Sequence, residues 1–222
     1  MSLLWYTGDE VPAKNSIKEY EGNAYYHIYN RGVEKRNIFL DDHDYSYFLY
    51  CLKLYLSPQQ IFTDNPKGYC PKKYTDDIDL LSYVLMPNHF HLLIKQHSPY
   101  AINSFMKSLC TKYSMHFNKQ YKRVGSLFQG RYKAVKVDTD EQLVYLSKYI
   151  HHNPTKIGFI PQKYPYSSCQ NYLNVVQQDW IKPKGILDFF SDNNPHQSYF
   201  SFINNSPEED PIINSLTIDD LE

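Results

Sequence analysis

Apolar positions along the chain change their period several times, and each change marks an element. The stretch "NAYYHIYNRGVEK" is rich in aromatic residues and isoleucine and predicts a first strand, ended at Asn30-Arg31-Gly32. In "LDDHDYSYFLYCLKLYLS" the period lengthens: Tyr45, Phe48, Leu49, Leu52 and Leu56 recur at helical spacing. A helix is predicted there, with its N-cap at Asp41 or Asp42. "NPKGYCPKKYTDD" is turn-rich and reads as a loop. Two apolar runs follow, "DLLSYVLM" and "HFHLLIKQ", joined at Pro87-Asn88 as a hairpin. "SPYAINSFMKSLCTKYSMHFNKQY" returns to the helical period, with Ala101, Ile102, Phe105, Met106 and Leu109 on one stripe and Ser98 as the expected cap. "GSLFQGRYKAVKV" is a glycine-punctuated loop running into a short strand. "DTDEQLVYLSKYIHHNP" is a third helix, with Asp138 and Glu141 at capping-box spacing and Pro154 beyond its end.

The order strand, helix, strand, strand, helix, strand, helix fits an α+β fold, a ferredoxin-like antiparallel sheet with helices packed on one face. Residues 1–160 are expected to form this domain. Residues 161–222 are expected to form an irregular and helical C-terminal extension with an acidic tail. Within it, "PQKYPYSSCQNYL" is irregular, and "PKGILDFF" and "QSYFSFIN" are short helices. No internal repeat or low-complexity tract interrupts the pattern.

Charge changes the picture more than composition does. The net charge is −1, yet from Leu80 to Val137 there is no Asp or Glu among nine Lys and Arg. From Gly185 to Glu222 there are eight acids and no Lys or Arg, which leaves 23 basic against 16 acidic residues, or +7, for the first 184. A polyanion-binding body with an acidic end fits that asymmetry better than a neutral protein does. The four cysteines are far apart with no CxxC pair, which argues against a cysteine zinc site and a disulfide framework. No apolar run approaches a membrane span, and "MSLLWYTGDEVPAKN" lacks the order of a signal peptide. A reduced, cytoplasmic protein without membrane partners is expected. The 22 tyrosines read first as aromatic packing, so no single tyrosine stands out by composition.

Candidate chemistry begins at "LMPNHFHLLI". On a strand, residues two apart share a face, so His89 and His91 would stand together while Phe90 and Leu92 enter the core. Two imidazoles so placed can share a divalent ion, bind a phosphate, or simply decorate a strand. The helix "YLSKYIHHNP" sets Tyr149 and Asn153 at i and i+4, on one face. An amide oxygen can complete a hard-cation site, and a phenol can attack phosphorus. Equally, Tyr149 could pack and Asn153 could end the helix before Pro154. His151 and His152 are alternative ligands or surface residues.

Four stretches carry a resemblance: "YYHIYNRGVEKRNIFLDDHDYSYFL", "YVLMPNHFHLLI", "GSLFQGRYKAVKVDTDEQLVYLSKYIHHNPTKIGF" and "YPYSSCQNYL". Together they resemble the REP-associated tyrosine transposases, a family of the HUH single-strand transposases of insertion-sequence type. The similarity runs in one order from about Tyr25 to about Leu173; the ends are loosely covered. It implies that His89 and His91 hold Mg²⁺ or Mn²⁺, with Asn153 as third ligand and Tyr149 as nucleophile. It also implies cleavage of single-stranded DNA beside a hairpin, leaving the 5′ phosphate on tyrosine and freeing a 3′ hydroxyl. Rejoining reverses the step without a high-energy cofactor. His152 and Lys148 are candidates for taking the phenol proton, and His27 is expected to neighbour the site without ligating.

Single strands call for basic residues and aromatic faces. "TKYSMHFNKQYKRVGSLFQGRYK" supplies both. In its helical half the aromatics read as core, with Lys112 and Arg123 as electrostatic contributors. In its loop half Phe128, Gln129, Arg131 and Lys133 are expected on DNA, as are Asn30 and Arg31, which match a family motif. Two rivals remain: a replication-initiator-like HUH nickase, and a non-catalytic ferredoxin-like domain that binds single strands. A homodimer in which Tyr149 works beside a partner's histidines is left open.

Overall fold

The structure, a computed structural model, describes residues 20–58 and 71–205. The "NPKGYC" part of the expected loop and most of the acidic tail lie outside those residues.

Four strands, β1 (Ala24–Arg31), β2 (Ile78–Met86), β3 (His89–Gln96) and β4 (Lys133–Val137), form one sheet in the order β2-β3-β1-β4. Every neighbour is antiparallel. This is the expected ferredoxin-like layout. The β2–β3 hairpin turns at Pro87-Asn88, and the N–H of Gly32 donates to the carbonyl of Asn88 at 2.9 Å. That bond ties the exit of β1 to the tip of the hairpin. A Cβ at Gly32 would meet the Arg36 carbonyl oxygen at 2.2 Å, so only glycine allows so close a passage.

The period-two pattern of β3 sorts its residues between two cores. Phe90, Leu92 and Ile94 enter the first, against α1 (Asp42–Leu56) and α2 (Ala101–Gln120) through Phe48, Leu52, Phe105, Leu109 and Tyr113. These five side chains are fully buried, each worth roughly 1.5–3 kcal/mol if aliphatic or Phe. Leu93 points the other way, into a second core shared with Val84 and with α3 (Asp140–His152) through Leu143, Leu146 and Ile150. The expected helical face is therefore α1 and α2. The opposite face is covered too, because β2 is apolar on both sides, with Leu80, Tyr83 and Leu85 in the first core and Leu81, Val84 and Met86 in the second, and cannot leave one in water.

α3 is held down by the C-terminal extension. The short helices α4 (Cys169–Tyr172) and α5 (Lys184–Leu187), with α6 (Pro195–Asn204), complete the second core with Tyr172, Ile186, Tyr199 and Ile203. Along the edge of β2, Leu85 N–H donates to Tyr166 O, Ser168 N–H to Tyr83 O, and Lys182 N–H to Leu80 O. An otherwise bare sheet edge is thereby covered.

Two caps differ from expectation. α3 starts from Thr139, whose hydroxyl accepts from the Gln142 N–H in a reciprocal capping box, instead of from Asp138 with Glu141. Thr139 and Gln142 have the same spacing one residue on, and the Asp138 N–H is satisfied by the Gln142 side chain. Ser98 does not cap α2: Tyr100 precedes the helix, Ser98 Oγ donates to Asp77, and Gln96 Oε1 accepts from the Ile102 N–H. The cap at Asp41 is as expected, accepting from the Asp44 N–H.

Leu92 sits in the first core with no exposure. Leu92→Ala is expected to lower unfolding stability by about 2–5 kcal/mol, read by urea denaturation, because the sheet above it cannot collapse into the void.

Candidate metal centre and nucleic-acid surface

β1 and β3 build the floor of the site. Their register sets Tyr29 opposite His91 and Arg31 opposite His89. His27, Tyr29 and Arg31 therefore share the face of the two histidines, which is also the face crossed by α3. The His89 and His91 rings are 5.0 Å apart and nearly perpendicular. Above them the last turn of α3 brings Tyr149, whose ring centroid is 5.6 Å from that of His91. Asn153 closes the helix and is 2% exposed. Sequence spacing brought these four residues into two pairs; the fold brings the pairs together within one chain.

Hydrogen bonding decides what each group has left to offer. His91 Nδ1 is 2.8 Å from His27 Nε2. His89 Nδ1 is 2.6 Å from Asn88 Oδ1, which can only accept, so Nδ1 carries the proton. Asn153 Nδ2 donates to the Tyr149 carbonyl at 3.0 Å, which turns Oδ1 away from the helix. His91 Nε2 and Asn153 Oδ1 are buried without any hydrogen-bond partner. Two orphaned acceptors in one buried place are costly unless something electropositive sits between them. Donation by His91 Nδ1 to His27 leaves Nε2 with its lone pair, as a metal ligand requires. The donor set of two imidazoles and an amide oxygen thus fits a divalent cation.

Electrostatics favour the neutral, ligating state of both imidazoles. Burial pushes His89 down to about 4; Lys156 and Arg31 add to this, and Asn153 opposes it. Burial, with His27, His89 and Lys156, holds His91 well below the ordinary histidine range.

The other two histidines of the helix are not in the site. His151 is fully buried, bonded to Tyr199 Oη at 2.7 Å and to Ser168 Oγ at 2.9 Å. His152 Nε2 meets the Ile203 carbonyl at 2.5 Å. Lys148 Nζ donates to the Asn205 carbonyl at 2.9 Å. Both candidate proton acceptors, His152 and Lys148, are thus engaged by α6 and the residue after it. Lys156, which is not among the residues expected in the site, has its ammonium 5.6 Å from the centre of the Tyr149 ring. The signal in the sequence is its position three residues past Asn153, on the turn that continues α3.

The residues expected on DNA divide into two groups. Around the exit of β1, a cavity of about 260 Å³ is lined by Tyr29, Asn30, Arg31, Gln129, Arg131 and Lys133. Arg31 Nε donates to Gln129 Oε1, and the Gln129 N–H donates back to the Arg31 carbonyl. Asn30 is buried, donating to the Gly130 carbonyl at 3.1 Å and accepting from the Arg31 N–H, so it shapes the loop instead of presenting a free amide. Phe128, expected as a stacking platform, is 6% exposed and packs edge-on against Phe90. Its neighbours at positions 126 and 129–131 are exposed; Phe128 is the apolar anchor that holds the loop down. Lys112 lies apart, in a groove between α1 and α2 with Lys107 and Lys119. Arg123 bonds Asn118 at 3.1 Å and lies over the Phe117 ring.

Residues 67–153 match the family model described as "Transposase IS200 like". This segment is an IS200-like transposase domain. It contains His89, His91, Tyr149 and Asn153, and it ends on the last of them. No curated protein matches the chain. A structure of a REP-associated tyrosine transposase bound to a REP hairpin superposes with a TM-score of 0.52 at 13% identity, over 75% of this chain and 96% of that one. Three quarters of the chain thus share that protein's fold. A protein from Deinococcus radiodurans R1 taken to be a transposase is more distant, with a TM-score of 0.37 at 15% identity, over 62% of this chain and 93% of that one. Among the described residues no helix is long and apolar enough to cross a membrane, and Cys51, Cys110 and Cys169 are free.

Mn²⁺ titration followed by electron paramagnetic resonance checks the ligand set. His91→Ala is expected to abolish binding at this centre. His27→Leu keeps all three ligands and is expected to weaken binding by roughly 10–100-fold, the usual effect of losing the group that orients a ligating histidine.

Proposed function

We propose that this transposase cleaves and rejoins single-stranded DNA beside a hairpin through a 5′-phosphotyrosine on Tyr149. His89, His91 and Asn153 hold Mg²⁺ or Mn²⁺. The observation that carries the reading is the pair of orphaned buried acceptors, His91 Nε2 and Asn153 Oδ1, beside a tyrosine on the helix that supplies the amide. The family match supports DNA as substrate, and the hairpin bound to the structural relative supports its form. A cation in this centre supplies Lewis-acid polarisation of a phosphate oxygen and stabilises the departing 3′ oxygen.

The chain's own residues do the rest. Tyr149 Oη forms a bond to phosphorus as the bond from phosphorus to the 3′ oxygen breaks. The 5′ phosphate stays on Tyr149, and the phenol proton is made up for by the proton gained on the free 3′ hydroxyl. Attack by another 3′ hydroxyl reverses each change. A phenol with pKa near ~10 is a weak nucleophile at neutral pH. Lys156, its ammonium 5.6 Å from the centre of the Tyr149 ring, gives the phosphate a cationic partner. Arg31, Arg131 and Lys133 lead the strand to this point, with Lys133 also 6.0 Å from the Tyr29 ring. Residues 1–160 form the catalytic unit and 161–222 the extension that braces it, working on DNA in the cytoplasm.

Labelled single-stranded hairpin DNA with Mg²⁺ or Mn²⁺ tests the chemistry. The wild type is expected to give a covalent adduct on a denaturing gel, and Tyr149→Phe none. No adduct with any divalent metal, or an undiminished one from Tyr149→Phe, would overturn the mechanism. In a binding titration, replacing Arg131 and Lys133 together by Ala should weaken single-strand affinity. The slope of log K against log salt should become shallower by about 0.7 for each phosphate that is no longer neutralised.

A further inference from the structure

On the far side of the sheet from Tyr149, the first turn of α1 meets the C-terminal part of α2. Three side chains converge there that the transposition chemistry does not use. His43 and Asp44 come from α1 and His116 from α2, and one ligand atom from each lies within 4.8 Å of the others. The two imidazoles are stacked with centroids 5.4 Å apart. Tyr47 lies flat on the other face of His116 at 3.5 Å and fixes that ring.

The bonding of the group is incomplete in a directed way. Asp44 is fully buried; its Oδ2 accepts from the Leu40 N–H at 2.8 Å and from Tyr121 Oη at 2.9 Å. Its Oδ1 is buried with no donor. His116 Nε2 is likewise buried and without a partner. A carboxylate oxygen and an imidazole nitrogen, both stripped of water and both unpartnered, recur here as the histidine and amide do at the first centre. Lys112 and Lys119 act on His116 from the same helix. Asp44 opposes them at His116.

We infer that His43, Asp44 and His116 form a second cation site, suited to Zn²⁺ or a similar borderline transition ion, that clamps α1 to α2. Two imidazoles and one carboxylate are a familiar zinc donor set, with water in the fourth position. Tetrahedral bonding at about 2.0–2.2 Å needs the three ligand atoms closer than 4.8 Å. His43 is exposed and can swing in, while Asp44 and His116 are held. The clamp joins positions 72 residues apart in the chain, so it would act on stability and not on the phosphoryl site.

Zinc stoichiometry on the full chain, by competition with a chromophoric chelator, separates the two centres. The wild type is expected to bind two Zn²⁺ per chain, His91→Ala one, His43→Ala one, and the double variant none. His43→Ala alters an exposed side chain and should fold as the wild type does. Zinc should raise the melting temperature of His91→Ala but raise that of the double variant not at all. One ion in the wild type that His43→Ala retains and His91→Ala loses would overturn the second site and leave the first standing. An unchanged stoichiometry in both His43→Ala and His116→Gln would overturn it as well.

Discussion

The pairing of β1 with β3 at the middle of the sheet is the constraint on which the site depends. It aligns His27, Tyr29 and Arg31 with the two histidines of β3 in a single register. A one-residue slip would turn every one of these side chains to the opposite face. The register is set by burial on both sides: Phe90, Leu92 and Ile94 have one core to fill and Leu93 the other. The imidazoles are aimed by the hydrophobic residues between them. The bond from His91 to His27 then fixes the ring within the face that packing has chosen.

Much of this was legible in the sequence because it is local. Strand and helix periods survive in "HFHLLIKQ" and "YLSKYIHHNP", and both pairs of site residues follow from the spacing. What could not be read is set by contacts across the chain. Phe128 in its loop and Asn30 at the exit of β1 sit among DNA-binding residue types, yet one is an apolar anchor and the other a backbone tie. Composition cannot separate an aromatic that faces a base from one that faces Phe90. His151 and His152 were equally ambiguous, and only α6, far along the chain, shows why neither is available. The cover on the second face of the sheet depends on the same extension, whose helices are too short to show a clear period.

Both candidate centres follow one rule of polar burial. Each uses neighbouring hydrogen bonds to commit the wrong atoms, leaving the right atoms over. Asn88 and His27 occupy the Nδ1 positions of the β3 histidines, the Tyr149 carbonyl occupies the Asn153 amide nitrogen, and Leu40 with Tyr121 occupies one oxygen of Asp44. A cluster of polar residues becomes a receptor through what its neighbours take away.

The anchoring of α3 has a consequence for the order of events on DNA. Lys148, His151 and His152 flank Tyr149 and are all bonded to the C-terminal helices or to the turns that carry them. Carrying Tyr149 away from the sheet would mean tearing out a packed element. On the proposed chemistry, an end joined to Tyr149 would stay where it was made and the incoming end would travel. Choreography would then pass from the protein to the nucleic acid: the folding and length of the DNA between two cleavage points would set which ends can meet.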